Sequence, residues 1–351
     1  MESPLPAMLS GYVSSQIVHA TAELGLADAL ADTPRGYTEL AERTGTDPAA
    51  LRRLLRALVG LGLVEQLDAD RFALTPLGGQ LRTGTPDSLR DDVLLSVTPE
   101  LWQAWGALTH VVRTGEPWRH ASTRLTAHES ALRDPRTAAL YRAAKARGSQ
   151  EFTPGLAEVY DFSRFRTVVD FGGDDGALMA AVLSSAPEAH GVLYDLPAAL
   201  DGVRATLDAA GVGKRCDVVE GDVTARIRTD ADAYLLNHLV RDVGDDAAVA
   251  LLARCRAAMP PTARLLLFET VMPPLLTSAD SASFGLTDLN NLVYTGGRER
   301  TAEEYQALLE AAGCTLVTAT AVPAADGLPD YHVIEAVPTP AEGASTGAGE
   351  R

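Results

Sequence analysis

Lysine is nearly absent from this chain. Only Lys145 and Lys214 occur in 351 residues, and arginine carries the rest of the 30 positive charges. Against 47 acidic residues these leave a formal net charge of −17. So acidic a chain repels phosphates, which argues against nucleic acid and anionic membrane surfaces as partners. Cysteine is scarce too. Cys216, Cys255 and Cys314 are widely spaced and odd in number, so they form neither a metal-ligand spacing nor a disulfide framework. A reducing cytoplasm, and no metal, is the expectation. The opening "MESPLPAMLSGYVSSQIVHA" lacks the basic stretch and apolar run of a signal peptide, and no apolar run reaches membrane-spanning length.

What is present, 46% hydrophobic residues over this length, suffices for one large core and predicts two domains. The first hundred residues read as helical. In "TGTDPAALRRLLRALVGLGLVEQ", Asp47 is a helix N-cap and Pro48 the first helical residue. Leu51, Leu54, Leu55 and Leu58 then follow at helical spacing on one face. "LVEQLDADRFALTP" reads as two short strands around an Asp68-Ala69-Asp70 turn, which makes the whole a winged-helix pattern. Such a module either binds DNA or packs and dimerises, and the acidic charge favours the second. Residues 101–165 read as further helix, with Trp102 and Trp105 expected in the core.

From about residue 166 strands alternate with helices. "TVVDFG", "GVLYD", "CDVVEGD", "ADAYLLNHL" and "ARLLLFET" are strands, and "ALMAAVLSSAPEA", "LPAALDGVRATLDAAG" and "DDAAVALLARCRAAM" are helices. That alternation predicts a parallel, doubly wound sheet, closed by an antiparallel pair in "CTLVTATAV" and "DYHVIEAV". The tail from 338 is small, polar and expected to be disordered.

"DFGGDDGAL" follows the first of these strands and opens a helix. Gly172, Gly173 and Gly176 let the backbone turn tightly, and the helix N-terminus supplies unpaired N–H groups. Asp195 ends the next strand, where a carboxylate accepts from ribose hydroxyls or caps the following helix; Asp222 ends the third. The glycine spacing leaves a dinucleotide open as ligand, while Asp170 at the head of the turn suits a ligand with an amino group.

In order, "TVVDFGGDDGAL", "GVLYDLP", "VVEGDV", "ADAYLLNHLVRD", "RCRAAMPPTARLLLFETVMP" and "DLNNLVYTGGRERTAEEYQALLEAAG" resemble the class I S-adenosylmethionine-dependent O-methyltransferases, in the plant caffeate-type and bacterial polyketide-tailoring branch. The resemblance runs from about residue 10 to 337. It implies an α/β fold: a Rossmann-like doubly wound methyltransferase domain (166–337) behind an N-terminal all-helical winged-helix dimerisation domain (1–100), with 101–165 as helical connector and substrate-pocket helices. It also implies a homodimer acting on a small-molecule substrate, and S-adenosylmethionine as cofactor. The cofactor-binding set is then Asp170, Gly172, Gly173, Asp174, Gly176, Asp195, Leu196, Asp222, Val223 and Asn237.

The sequence departs from that family at two places. The turn is usually D-x-G-G-G-x-G, and Asp174 stands at its middle glycine. A carboxylate there weakens or abolishes cofactor binding, or else it faces the sulfonium or solvent. The catalytic His-Asp-Trp falls on Arg241-Asp242-Val243, so the base is gone, while the two flanking glutamates remain as Glu269 and Glu299. Arginine cannot act as a base in a protein, but its fork suits carboxylates on either side. The three form either a structural cluster or a site aiming positive charge at substrate oxygen. His238 is a candidate substitute base or a core histidine, and Lys145 an exposed helix lysine or a pocket charge. General-base catalysis contributes roughly 10²–10⁴-fold, and in-line positioning supplies much of the remainder. The expectation is methyl transfer by proximity to an aromatic or polyketide-like hydroxyl in bacterial secondary metabolism. The alternatives are a fold repurposed for cyclisation, pericyclic rearrangement, decarboxylation or hydroxylation with Arg241 as electrophile, and a non-catalytic small-molecule-binding dimer.

Overall fold

The computed structural model describes residues 4–197, 200, 202–221, 230–324 and 329–340. Asp222, Val223 and the tail from residue 341 lie outside the described residues. The chain divides into two compact units, Met1–Gly106 with Ser130–Ala144, and Ala107–Glu129 with Lys145–Arg351. Residues 101–165, expected as one connector, are thus shared between them.

The first unit is helical and carries a small wing. Asp47 caps the helix Pro48–Gly60 as expected: Ala50 N–H donates to its Oδ1 at 2.8 Å. Such a cap contributes about 1 kcal/mol. Leu51, Leu55 and Leu58 are buried in one core with Leu40 and Phe72. Strands β1 (Arg35–Gly36), β2 (Val64–Gln66) and β3 (Arg71–Leu74) pair in the order β1-β3-β2. The β2–β3 turn closes on Asp68 Oδ1, which accepts from Asp70 N–H and Arg71 N–H. Trp102 corrects the expectation of a core residue. The helix Pro99–Gly106 buries Leu101 and Ala104, and Trp102, three positions before Trp105, projects outward at 38% exposure.

The second unit is a seven-stranded sheet. Its strands are β4 (Thr167–Phe171), β5 (His190–Asp195), β6 (Cys216–Glu220), β7 (Ala233–Asn237), β8 (Arg264–Thr270), β9 (Cys314–Val322) and β10 (Tyr331–Pro338), in the order β6-β5-β4-β7-β8-β10-β9. The first five in that order are parallel, and β10 pairs antiparallel with both β8 and β9. Alternate residues enter cores on opposite faces: Val168, Leu235 and Phe268 on one, Val169, Leu236 and Leu267 on the other. This period of two explains why the strands read as continuous apolar runs. Met179, Val182, Leu183 and Ala186 cover the first face, as their spacing predicts. Of the helix expected over "LPAALDGVRATLDAAG", the described residues show Val203–Ala209, preceded by Gly202 in the left-handed region at φ +87°.

The chain steps from β4 outward to β5 and β6, then returns to β7 on the other side of β4. The crevice beyond the carboxyl ends of β4 and β7 is therefore the topological switch point, where such sheets take their ligands.

Candidate active site

Two loops meet at that crevice. The first, Gly172–Gly176, leaves β4. Gly172 and Gly176 have φ of +66° and +80°, and a Cβ on Gly173 would lie 2.4 Å from Leu193 Cγ, so the turn has no room for side chains there. Asp170, wholly buried, has no hydrogen-bond partner for either carboxylate oxygen. Burial, then the neighbouring carboxylates of Asp174, Asp195 and Asp175, hold its pKa well above the usual range. Asp195 Oδ2 accepts from Asp174 N–H at 3.0 Å and Oδ1 from Leu196 N–H at 2.7 Å, which fixes its carboxylate at the end of β5. Asn237, ending β7, donates to Ser149 Oγ at 3.3 Å and leaves its Oδ1 buried without a partner. The crevice thus holds buried acceptors that nothing in the described chain satisfies. Such groups are satisfied by ordered water or by a ligand.

Asp174 itself adopts φ +47°, a left-handed conformation that aspartate tolerates better than most residues. Lys145 Nζ lies 3.2 Å from its Oδ2, an ion pair by distance whose angle falls outside hydrogen-bond geometry. Both side chains are largely covered, at 17% and 12% exposure, which corrects the expectation of a solvated helix lysine. Lys145 lies near the middle of the helix Pro135–Val159 and faces the Asp174 carboxylate.

The second loop leaves β7. His238 has φ +55° and is buried, its ring 5.2 Å from that of Tyr331 and 6.3 Å from that of Phe152. Burial, with the positive charges of Arg241 and Lys145, drives its pKa well below the usual imidazole value. His238 is therefore neutral.

Arg241 follows, and its guanidinium forms an ion pair with Glu299. Glu299 is almost fully buried and is held three ways, since Thr270 Oγ1 donates to Oε2 at 2.7 Å and Asn291 Nδ2 to Oε1 at 3.1 Å. The guanidinium does not fork to both carboxylates. Glu269 instead accepts the backbone N–H of Val240 (3.0 Å) and of Arg241 (3.3 Å) at Oε1. It grips the loop rather than the charge. Its Oε2 is buried without a partner, and burial, partly offset by Arg241, pushes its pKa up to about 8. Burial opposes the charge on Arg241, but Glu299 and Glu269 outweigh it and leave its pKa above the usual arginine value.

Arg241, Glu299, Thr270 and Tyr331 line a cavity of about 200 Å³ together with Glu151, Ser283, Phe284, Thr287 and Pro329. No histidine is among these residues. Burial raises the Tyr331 phenol to about 12, so it stays a hydrogen-bond donor.

No local pattern in the sequence points to Tyr331, Glu151, Thr270 or Arg300. Tyr331 stands opposite Thr270 because β10 inserts beside β8, a pairing that no local pattern announces. Arg300, completely buried, donates to Val240 O at 2.7 Å and Val243 O at 2.8 Å and pairs with Asp245. Arg298 N–H donates to Arg241 O at 2.9 Å. A Cβ on Gly297 would lie 2.1 Å from Arg241 O. The "GGRERT" segment therefore clamps the Arg241 loop through its backbone. Burial lowers the pKa of His128; Asp242 opposes that shift and Lys145 reinforces it.

A family model described as the O-methyltransferase domain matches residues 105–315, and one described as the O-methyltransferase dimerisation domain matches residues 7–83. The chain is 35% identical over 339 residues to phenazine O-methyltransferase PhzM of Lysobacter antibioticus, covering 96% of each chain. It is 32% identical over 316 residues to aclacinomycin 10-hydroxylase RdmB of Streptomyces purpurascens, covering 88% of this chain and 83% of that one. Among solved structures it is similar to the mitomycin 7-O-methyltransferase MmcR, with a TM-score of 0.86 and 33% identity over 95% of this chain and 97% of that one.

Proposed function

The chain belongs to the O-methyltransferase family, and from that premise we propose that it moves a methyl group from S-adenosylmethionine to a hydroxyl of an aromatic or polyketide-like small molecule of bacterial secondary metabolism, without a histidine base. The observation that carries the reading is the Arg241–Glu299 pair on the wall of a cavity that no histidine lines.

The crevice residues suit the donor. Asp170 and Asn237 Oδ1 offer buried acceptors to its ammonium group, and Asp195, fixed by two backbone N–H groups, serves its ribose. Gly172, Gly173 and Gly176 keep the turn open to it. When bound, the cofactor supplies an electrophilic methyl group. The chain's own task is then to hold and ionise the acceptor. A phenol has an unperturbed pKa of about 10 by analogy with tyrosine, and a nearby guanidinium favours its anion. Arg241 stabilises that oxygen, Tyr331 donates to a second polar atom of the acceptor, and the phenolic proton leaves to solvent. His238, neutral and packed against Phe152 and Tyr331, supports the wall. Two copies pair through the first unit, where Leu5, Met8, Leu9, Tyr12 and Trp102 are exposed apolar side chains.

A second reading has one specific observation behind it. A largely covered arginine held by a buried carboxylate is also an electrophilic catalyst for a carbonyl, and a hydroxylase stands among the relatives. Incubation with S-adenosylmethionine and a panel of hydroxylated aromatics distinguishes the two. Methyl transfer yields methylated product and S-adenosylhomocysteine in equal amounts. Conversion of an acceptor with no S-adenosylhomocysteine formed supports the second reading and sinks the first.

A further inference from the structure

The cofactor turn carries more negative charge than one ligand needs. Asp170, Asp174, Asp175 and Asp195 converge on it, and those at 170, 175 and 195 are each raised in pKa by burial first and by Asp174 in addition. Such a cluster attracts the ammonium and sulfonium of S-adenosylmethionine but repels its carboxylate. Among the four, Asp174 is the one reached by a cation within 4 Å among the described residues, Lys145 at 3.2 Å. The backbone of Asp174 also has a task of its own, since its N–H fixes Asp195 Oδ2.

We propose that Lys145 and Asp174 form a matched pair that balances the charge of the cofactor turn, which makes Lys145 a cofactor-binding residue. The proposal rests on the S-adenosylmethionine reading above and deepens it. Lys145 lies on a different segment from the turn, 29 residues earlier in the chain, and its ammonium is brought in beside the one residue of the turn that carries a side chain in the left-handed region. With both groups largely out of water, each charge depends on the other more than a surface pair does. Asp174 is then no lesion in the turn. Its cost to the cofactor is offset by Lys145.

The test is a double-mutant cycle read by calorimetric titration of the full-length protein with S-adenosylhomocysteine. The variants are Lys145→Met, Asp174→Asn and the two together; asparagine keeps the left-handed backbone accessible while removing the charge. Lys145→Met is expected to weaken binding about tenfold or more, and to cost about twofold or less when Asp174 is already asparagine. Asp174→Asn alone binds at least as tightly as the wild type. Thermal melting of the unliganded proteins runs alongside, because a merely structural pair shifts the melting temperature and leaves affinity unchanged. Wild-type affinity in Lys145→Met, or the same loss in both backgrounds, overturns the proposal while leaving the cofactor reading standing. A wild-type protein that binds neither S-adenosylhomocysteine nor S-adenosylmethionine overturns both.

Discussion

Arg241 and Glu299 are joined across 58 positions of sequence into a buried ion pair, and the carboxylate is held in place by Thr270 and Asn291 as well. The arginine occupies the position that the family resemblance assigns to a base. The carboxylates that flank it now play separate parts, Glu299 on the guanidinium and Glu269 on the backbone.

Removing one member of a buried pair leaves the other uncompensated, at a cost of about 3–5 kcal/mol. Glu299→Gln is therefore expected to destabilise the protein by about that amount in urea unfolding. Arg241→Met should cost at least about 1 kcal/mol less in the Glu299→Gln background than in the wild type. Strict additivity would show that the two side chains do not depend on each other.

Glu269 predicts a pH dependence of stability. Burial, the leading cause, raises its folded-state pKa from 4.5 to about 8. Between these values the native chain holds a proton that the unfolded chain has released. Stability therefore falls as pH rises from about 4.5 toward about 8, on the order of a few kcal/mol for this group. Asp170, raised by burial and with the same sign, adds to the slope. Glu269→Gln carries no such proton, so its unfolding free energy should vary less across that window than the wild type's. An unchanged slope would assign the pH dependence elsewhere.

Asp195 predicts a loss of cofactor affinity. Hydrogen bonds to a charged group contribute about 1.5–3 kcal/mol, so Asp195→Ala should weaken binding of S-adenosylhomocysteine roughly 10- to 100-fold. Full affinity in that variant would remove Asp195 from the site.

Much of this was legible from the sequence, for identifiable reasons. The sheet announces itself because strands buried on both faces read as near-continuous apolar runs, as in "AYLL" of β7. The cap at Asp47 and the face of Leu51, Leu55 and Leu58 depend only on local spacing. Glu269, Glu299 and Arg241 were picked out by resemblance, since 58 residues separate the ends of the set and no local pattern links them. Which side of a helix meets the core is less legible. Trp102 was read inward and faces out, and Lys145 was read outward and faces a carboxylate. An apolar or charged side chain states its preference but not its neighbour. Tyr331 and Arg300 were missed because their roles exist only once β10 lies beside β8 and the 297–300 segment crosses the Arg241 loop.

In the proposed methyl transfer Arg241 stands in place of a histidine base. The most direct test is turnover with S-adenosylmethionine carrying a deuterated methyl group, followed by mass spectrometry across a range of pH for wild type and Arg241→Ala. Labelled product is expected from the wild type, with a rate that climbs with ionisation of the acceptor. A loss of about 10²–10³-fold is expected in Arg241→Ala, the cost of removing one donor from a developing or bound oxyanion, with the pH profile displaced upward. An acceptor converted without the label, or an Arg241→Ala variant as fast as the wild type with an unmoved profile, would contradict that role of Arg241.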